Sequence, residues 1–313
     1  MNKHLPAVFI CDRGYVMQTA VAITSLIESC VQTSPEIRVV TYGLTPEQER
    51  ELLGLAREGA SVRLVRGDEC FSEDSFSVTE SRYRVATKAA LLKFYLPALL
   101  PDWDRVLYLD GDIIVRRDLS PLAETELGDA LAAVVRDLPQ VFYNNRLLGD
   151  SRDYFNSGVM LLNLRQMRAE GLTGRLVEEK KASPDDKLMD QSVLNRVMAG
   201  RVLQLPLIYN VCYANLRRRW RREHMARQIN AAYGTDFRTL RQIRQAAAIL
   251  HYSSGEKPWK YFDIPAGRDW LRVYRRLPGA APLRRKSWQL REKGQKIKAI
   301  LSALFSRRSD ANR

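Results

Sequence analysis

The chain has 313 residues, 45% of them hydrophobic and 27% charged, a balance that is ordinary for a globular enzyme with a large core. No apolar run approaches the ~20 residues that span a membrane, and the N-terminal run is too short for the core of a signal peptide. The four cysteines are scattered without a Cys-x-x-Cys pair. This spacing predicts reduced thiols in a cytoplasmic protein and argues against a disulfide framework or a zinc site.

In chain order, apolar runs typical of strands alternate with helical segments. The first helix is predicted from about residue 17 to residue 28. The second begins at Thr45 as N-cap, with Pro46 at the first helical position and Gln48 placed to complete a capping box. The remaining segments are strands at 7–11, 37–44, 61–65, 105–115, 130–135 and 157–164, and a helical stretch at 86–100 that Pro97 is predicted to interrupt.

This alternation predicts an α/β fold with a mostly parallel sheet and helices on both faces, because strands that are apolar on both sides need cover on both sides. Ligands of such folds bind beyond the carboxyl ends of the strands. The sequence has no G-x-G-x-x-G at a helix start, no G-x-x-x-x-G-K-[ST] and no G-x-S-x-G. These absences disfavour a dinucleotide enzyme, a P-loop NTPase and a hydrolase with a nucleophile elbow.

The run RVLYLDGDIIV, residues 105–115, places two carboxylates in an otherwise apolar strand. Residues two apart in a strand face the same side, so Asp110 and Asp112 are expected to converge where they need a positive partner. Paired carboxylates suit a hard divalent cation, and a diphosphate can fill its remaining positions. The run ILHYSSGEKPW, residues 249–259, offers His251 as a further ligand and Lys257 as a cation for the phosphates.

Several segments together resemble family 8 glycosyltransferases, the retaining enzymes that include bacterial lipopolysaccharide galactosyl- and glucosyltransferases. They occur in the family's order between about residues 5 and 265, and they are FICDRGY, LLPDWDRVLYLDGDIIV, YFNSGVMLLNL, DQSVLN, LIYNV and HYSSGEKPW. The resemblance implies an A-type glycosyltransferase fold, Rossmann-like and single-domain. It also implies transfer of a hexose, galactose or glucose, from a UDP-sugar to a glycan or lipopolysaccharide-core acceptor.

The same resemblance implies the site residues. Asp110, Asp112 and His251 are implied to hold Mn²⁺, with Mg²⁺ as the alternative ion, together with the diphosphate of the donor. Gln191 and Asp190 are implied as the catalytic residues, with Gln191 nearest the anomeric carbon. An amide is a poor nucleophile, which favours attack from the leaving-group side, but a covalent intermediate stays open. The donor is implied to contact Asp12, Tyr15, Lys93 (where the family commonly has Arg), Asn156, Gly158 and Lys257.

The C-terminal end carries much of the net charge of +14, since residues 284–313 contain ten Lys or Arg and only two acidic residues. Apolar positions from Ile297 to Phe305 follow helical spacing. We therefore predict a catalytic domain at 1–275 and a basic tail at 276–313. The tail is predicted to attach the protein peripherally to the anionic inner face of the cytoplasmic membrane, where a lipid-linked oligosaccharide acceptor is presented. The alternative is that its apolar stripe packs on the domain.

The basic segment 216–237 is predicted to contact the acceptor or the membrane, with a solvated loop as the alternative. Two other functions are weighed against the glycosyltransferase. A sugar-1-phosphate nucleotidyltransferase is also α/β and metal-dependent, but its N-terminal Gly-rich loop is not matched by FICDRGYVMQ. A basic nucleic-acid-binding protein is disfavoured, because the basic runs lie outside the sheet and resemble no RNA- or DNA-binding motif. No nucleic-acid partner is expected.

Overall fold

The computed structural model describes residues 3–71, 88–137, 154–184, 189–212, 222–264, 266–287, 289–291 and 294. The chain divides into two compact units, a first unit of residues 1–251 and a second unit of residues 252–313. No helix among the described residues is both long and apolar enough to cross a membrane.

The first unit is built on a seven-stranded sheet with the order β3-β2-β1-β4-β7-β6-β8. Its strands are β1 Lys3–Asp12, β2 Thr33–Tyr42, β3 Ser61–Arg66, β4 Val106–Leu109, β6 Ala132–Arg136, β7 Phe155–Leu162 and β8 Val202–Gln204. Only β7 runs antiparallel to its neighbours, β4 and β6, while the other pairs are parallel. The predicted mostly parallel sheet is therefore confirmed.

A second, three-stranded sheet lies in the same unit and has the order β5-β10-β9. Its strands are β5 Ile113–Val115, β9 Val211–Cys212 and β10 Ile249–His251. β10 pairs antiparallel with β5 and parallel with β9. All residues of these three strands are buried, as are those of β4 and β7, so the two sheets share the apolar interior that the doubly apolar strand sequences predict.

Ten α-helices and three short 3₁₀ segments occur in the described part of the chain. The α-helices of the first unit are α1 Val16–Ser29, α2 Pro46–Leu53, α3 Leu96–Leu99, α4 Ser120–Ala123, α5 Leu164–Ala169, α6 Leu172–Ala182, α7 Asp190–Val197, α8 Arg222–Tyr233 and α9 Leu240–Ala246. The 3₁₀ segments are Asp68–Cys70, Lys88–Tyr95 and Leu207–Tyr209. The capping box of α2 is confirmed, because Thr45 and Gln48 each accept from the other's backbone N–H.

The helical stretch predicted over 86–100 differs from the structure in one respect. Residues Lys88–Tyr95 form a 3₁₀ segment, and Pro97 lies in the first turn of the α3 helix that follows rather than interrupting a helix. Proline is tolerated there because the first turn has no intrahelical acceptor for its missing N–H. Residues 72–87, which precede this segment, lie outside the described residues.

The second unit is described from 252 onward and contains α10, Gly267–Tyr274. Trp270 stacks on Tyr274 at 5.1 Å between ring centroids and meets Trp259 at 5.3 Å, which gives this unit an aromatic core of its own. The boundary predicted between 275 and 276 stays a prediction. The amphipathic segment from Ile297 to Phe305 lies outside the described residues, as do residues 216–221 of the basic segment.

Candidate active site

The two carboxylates of the Asp-x-Asp run lie in a turn and not in a strand. β4 ends at Leu109 and β5, in the other sheet, begins at Ile113, so the continuous strand expected over 105–115 is wrong. Gly111 explains the break, since a Cβ there would lie 2.6 Å from Thr19 Oγ1 and 3.1 Å from Tyr15 Cδ1. The turn can pack against the start of α1 only if this position lacks a side chain.

His251 reaches the same point from the neighbouring strand. β10 is antiparallel to β5, and His251 pairs with Ile113, the residue after Asp112. Its Nε2 atom lies 3.1 Å from Asp112 Oδ1 and 3.6 Å from Asp110 Oδ2. Burial lowers the pKa of His251, but the charge of Asp112 and the contacts with Asp112 and Cys212 together outweigh burial and raise this pKa to about 10.

The three side chains form a compact set of ligand atoms. One atom from each of Asp110, Asp112 and His251 lies within 4.8 Å of the other two. Two carboxylates and one imidazole nitrogen fit a divalent cation such as Mn²⁺, which accepts oxygen ligands and also imidazole. The fit is supported by a second contact of the histidine, because Nδ1 lies 2.9 Å from Asn210 Oδ1 and so leaves Nε2 facing the carboxylates.

Gly158 allows these ligands to approach one another. Asp110 N donates to Gly158 O at 2.8 Å, which continues the antiparallel pairing of β4 with β7. A Cβ on Gly158 would lie 2.3 Å from His251 Cε1 and 2.6 Å from Asp110 Oδ2. The space that any side chain would fill at this position is thus taken by two of the three candidate ligands.

Lys93 connects the candidate metal ligands to the candidate catalytic pair. Its Nζ atom lies 2.7 Å from Asp190 Oδ2 and 3.3 Å from Asp110 Oδ1, and it donates to Ser157 Oγ at 3.2 Å. Only 5% of the side chain is exposed. Burial lowers the pKa of Lys93, but the charges of Asp110 and Asp190 and the hydrogen bonds to them together outweigh burial, and the net shift is upward. The ammonium therefore stays charged between two carboxylates.

Asp190 and Gln191 occupy the first turn of α7, and both are buried. Met189, just before them, has a φ of +46°, a conformation that costs energy for a residue with a side chain and that sets the start of the helix. Gln191 Oε1 accepts from Asn156 Nδ2 at 3.0 Å, and Gln191 Nε2 lies 3.4 Å from Asp137 Oδ2. The structure therefore brings Asn156 next to Gln191, with both side chains fixed by hydrogen bonds.

Asp12 and Tyr15 lie where β1 gives way to α1. Asp12 is the last residue of β1, and its Oδ1 atom accepts from Gly14 N at 2.9 Å, which closes the turn into the helix. Tyr15 borders the Asp-x-Asp turn, as its approach to Gly111 shows. Lys257 belongs to the second unit, where its Nζ atom donates to Tyr252 O at 2.5 Å and lies 5.5 Å from the centroid of the Trp259 ring. Its role toward phosphates stays a prediction.

Four residues of this site were not assigned from the sequence. Tyr108 O–H donates to Asp110 Oδ1 at 2.6 Å, and Ser157 Oγ donates to Asp190 Oδ2 at 2.9 Å. Asn210 and Asp137 were missed as well. Asn210 lies in the LIYNV run, which was recognised without a role, whereas Asp137 had no signal because its partner is 54 residues away. The four are Tyr108, Asp137, Ser157 and Asn210.

The family model of glycosyl transferase family 8 matches residues 6–263 of this chain. The chain belongs to this family. The similarity to family 8 glycosyltransferases inferred from the motifs is thereby confirmed, and the chain is a glycosyltransferase.

Named relatives and solved structures agree with this assignment. The glycosyltransferase is 28% identical over 301 residues to a lipopolysaccharide 1,2-glucosyltransferase of Escherichia coli, covering 93% of this chain and 84% of the relative. It is 23% identical over 292 residues to the human glycosyltransferase 8 domain-containing protein 2, covering 84% and 80%. It matches the crystal structure of the galactosyltransferase LgtC, in complex with donor and acceptor sugar analogues, with a TM-score of 0.72. That match has 24% identity and covers 89% of this chain and 98% of LgtC. The predicted A-type fold is confirmed by this match.

Proposed function

We propose that this glycosyltransferase moves a hexose, galactose or glucose, from a UDP-sugar to a glycan or lipopolysaccharide-core acceptor, with retention of the anomeric configuration and with a divalent cation. The observation that carries the proposal is the convergence of Asp110, Asp112 and His251 beside the buried pair Asp190 and Gln191. The cation, Mn²⁺ with Mg²⁺ as the alternative, would neutralise the charge that develops on the departing diphosphate.

The protein's own residues hold and orient the donor in this proposal. Asp12, the last residue of β1, and Tyr15 are proposed to hold the uracil, and Lys257 is proposed to bind the phosphates. Asn156 and Gly158, at the start of β7, face the donor sugar. In this proposal Lys93 acts on the donor indirectly. Its ammonium contacts two carboxylates and a hydroxyl of the protein and thereby fixes Asp110 and Asp190.

Gln191 is proposed to orient the sugar at the anomeric carbon and not to attack it. Both ends of its amide are held by buried protein groups, and a neutral amide is a weak nucleophile. Attack by the acceptor from the leaving-group side is therefore favoured. Gln191→Ala should lower kcat more than it raises the KM of the donor, since orientation acts in the transition state. A higher KM with an unchanged kcat would assign Gln191 to ground-state binding instead.

The proposed reaction is tested by incubating the purified chain with Mn²⁺ and a panel of UDP-sugars, and by measuring the slow release of UDP in the absence of acceptor. We expect release from UDP-galactose or UDP-glucose, its loss on chelation of the metal, and a decrease of about 100-fold or more in Asp112→Asn. Asp104→Asn, which alters an exposed carboxylate, is the matched control. Release of pyrophosphate from UTP and a sugar 1-phosphate would instead support the nucleotidyltransferase.

Attachment to an anionic membrane surface is proposed for the second unit. Among the described residues of this unit, two large apolar side chains are exposed, Phe262 at 58% and Leu290 at 69%. Phe262 precedes Asp263 and Leu290 follows Gln289 in the chain, and these two residues are hydrogen-bonded, with Asp263 Oδ2 accepting from Gln289 N at 2.9 Å. Exposed cations of the same unit, which would attract anionic headgroups at about 1 kcal/mol each, are Lys260, Arg268, Arg272, Arg275, Arg276, Arg284, Lys286 and Arg291.

This attachment is tested with liposomes of neutral and of anionic lipid at low and high salt. We expect binding to the anionic liposomes alone, weakened by salt, and weakened again in the double variant Phe262→Ser, Leu290→Ser. UDP-sugar hydrolysis in solution should be unchanged in that variant. Val31→Ser, which removes an apolar side chain exposed at 78% in the first unit, is the control. Equal binding to neutral liposomes, or binding insensitive to salt, would contradict the proposal.

A further inference from the structure

A row of buried side chains connects the candidate cation ligand to the candidate catalytic amide. His251 Nδ1 lies 2.9 Å from Asn210 Oδ1, and Asn210 Nδ2 lies 2.9 Å from Asn156 Oδ1. Asn156 Nδ2 lies 3.0 Å from Gln191 Oε1, and Gln191 Nε2 lies 3.4 Å from Asp137 Oδ2. All five side chains are less than a tenth exposed. Water does not compete for these contacts, so each partner matters.

The direction of every hydrogen bond in this row is fixed by the backbone of β7. Gly158 N donates to Asn156 Oδ1 at 3.1 Å, and Ser157 N donates to Gln191 Oε1 at 3.3 Å. A backbone N–H can only donate, so these two side-chain oxygens must be acceptors. The oxygen of Asn156 therefore receives the amide N–H of Asn210 as well. At the far end the carboxylate of Asp137 accepts from Gln191.

This direction decides what Asn210 offers to His251. Because Asn210 Nδ2 is committed to Asn156, its Oδ1 atom faces the imidazole and accepts from Nδ1–H. The proton of the neutral ring is then on Nδ1, and the lone pair of Nε2 points to Asp112 and Asp110. A reversed amide would present N–H groups to Nδ1 and would favour the opposite tautomer, with the Nε2 lone pair lost.

We propose that Asn210 is a positioning residue that holds His251 as a cation ligand, and that Asn156 orients both Asn210 and Gln191 from the start of β7. This inference rests on the proposed function. One side chain, Asn156, then positions His251 through Asn210 and positions Gln191 directly. A purely structural role would require only that the buried amides be satisfied, with no consequence for the cation.

The test measures the dissociation constant of Mn²⁺ alone by calorimetry or electron paramagnetic resonance. Asn210→Leu should raise it about 10- to 100-fold, the usual effect of losing the partner of a ligand histidine. Asn210→Asp keeps an acceptor toward Nδ1 but loses the donor to Asn156, so its dissociation constant should lie between those of wild type and Asn210→Leu. Asn163→Leu removes another buried asparagine, the N-cap of α5, and should leave Mn²⁺ binding unchanged. If Asn210→Leu does not fold, Asn210→Ser takes its place in the same measurement.

Measurement of kcat distinguishes the role of Asn210 from that of Asn156. At saturating Mn²⁺, Asn210→Leu should recover most of its kcat, whereas Asn156→Leu should not, because it also releases Gln191. Wild-type Mn²⁺ affinity in a folded Asn210→Leu or Asn210→Ser variant would overturn the inference, provided that Asp112→Asn loses Mn²⁺. Failure of the wild-type chain to bind Mn²⁺ would instead overturn the proposed function on which the inference rests.

Discussion

At the scale of single residues, the site is a balance of charges that are buried, except for that of Asp110, which is partly exposed. Asp110 and Asp190 share the ammonium of Lys93, while Asp112 faces the imidazole of His251. A charge that is taken out of water is tolerated only where such partners are close. The arrangement therefore holds in place carboxylates that would otherwise repel one another.

Replacing Lys93 with a neutral residue should destabilise the protein. Lys93→Met keeps the length of the side chain but leaves Asp110 and Asp190 without their common cation, so the free energy of unfolding should fall by about 3–5 kcal/mol. Unfolding in urea measures the change. Lys181→Met, at an exposed position on α6, should change the midpoint little. An equally stable Lys93→Met protein would show that the lysine does not carry the charge balance described here.

Mn²⁺ affinity should depend on pH through His251. Burial lowers its pKa, but the charge of Asp112 and the contacts with Asp112 and Cys212 raise it to a net value of about 10, so the cation must displace a proton at neutral pH. The Mn²⁺ affinity should rise by up to about tenfold per pH unit between about pH 6 and 8.

In the absence of metal, the stability of the protein should change in the opposite direction and fall as pH rises. The contribution of protonated His251 is complete below its unfolded value of 6.5 and is lost as pH rises toward about 10. Calorimetry on chelator-treated protein measures both the Mn²⁺ affinity and the stability at each pH. A Mn²⁺ affinity that does not change with pH would contradict this role of His251.

At the scale of elements, the start of β7 supplies three consecutive residues to the site. Asn156 and Ser157 contact Gln191 of α7, and Gly158 lies against His251 and Asp110. β7 can do this because it is antiparallel to β4, so that its first residues meet the carboxyl end of β4. Sugar-side and cation-side residues thus lie on one short segment of buried backbone.

A methyl group on this segment should disturb the cation site. Gly158→Ala places a Cβ within 2.3 Å of His251 Cε1 and 2.6 Å of Asp110 Oδ2, so one of the ligands must move. We expect Mn²⁺ affinity to fall at least about tenfold, as for other displaced ligand shells. The control is Gly174→Ala in α6, where a Cβ meets nothing within 4 Å. That change should raise stability by about 0.5 kcal/mol. Unchanged Mn²⁺ binding in Gly158→Ala would refute the close-approach role.

At the scale of the whole first unit, the candidate site joins two sheets. In the larger sheet, Asp110 directly follows β4 and Gly158 lies in β7. In the smaller sheet, Asp112 directly precedes β5 and His251 ends β10. Side chains that are far apart in sequence are held together here by strand pairing. A ligand that binds this junction should therefore stabilise the folded unit as a whole.

Thermal unfolding with Mn²⁺ and UDP measures this stabilisation. Mass action predicts about 2.7 kcal/mol when the free ligand is at 100 times its dissociation constant. The melting temperature should rise with ligand concentration in the wild-type protein, and Mn²⁺ alone should have no such effect on Asp112→Asn. The same rise in both proteins would mean that the ligands act away from the Asp-x-Asp turn.

The sequence by itself determined the local structure and the chemical identity of the site. The alternation of apolar strands and helices, and the Thr45 capping box, depend on neighbours in the chain, so periodicity and spacing predict them. The motif residues Asp110, Asp112 and His251 were likewise named before the fold was known, although their roles remain proposals.

Only the tertiary structure decided how these residues are held. The break at Gly111 depends on contact with Thr19 and Tyr15, and the positions of Asn210 and Asp137 depend on partners 41 and 54 residues away. Pro97 likewise begins a helical turn in place of ending one. The orientation of the Gln191 amide is set by Ser157 N, which lies 34 residues away in the chain, and no pattern of neighbouring residues encodes that contact.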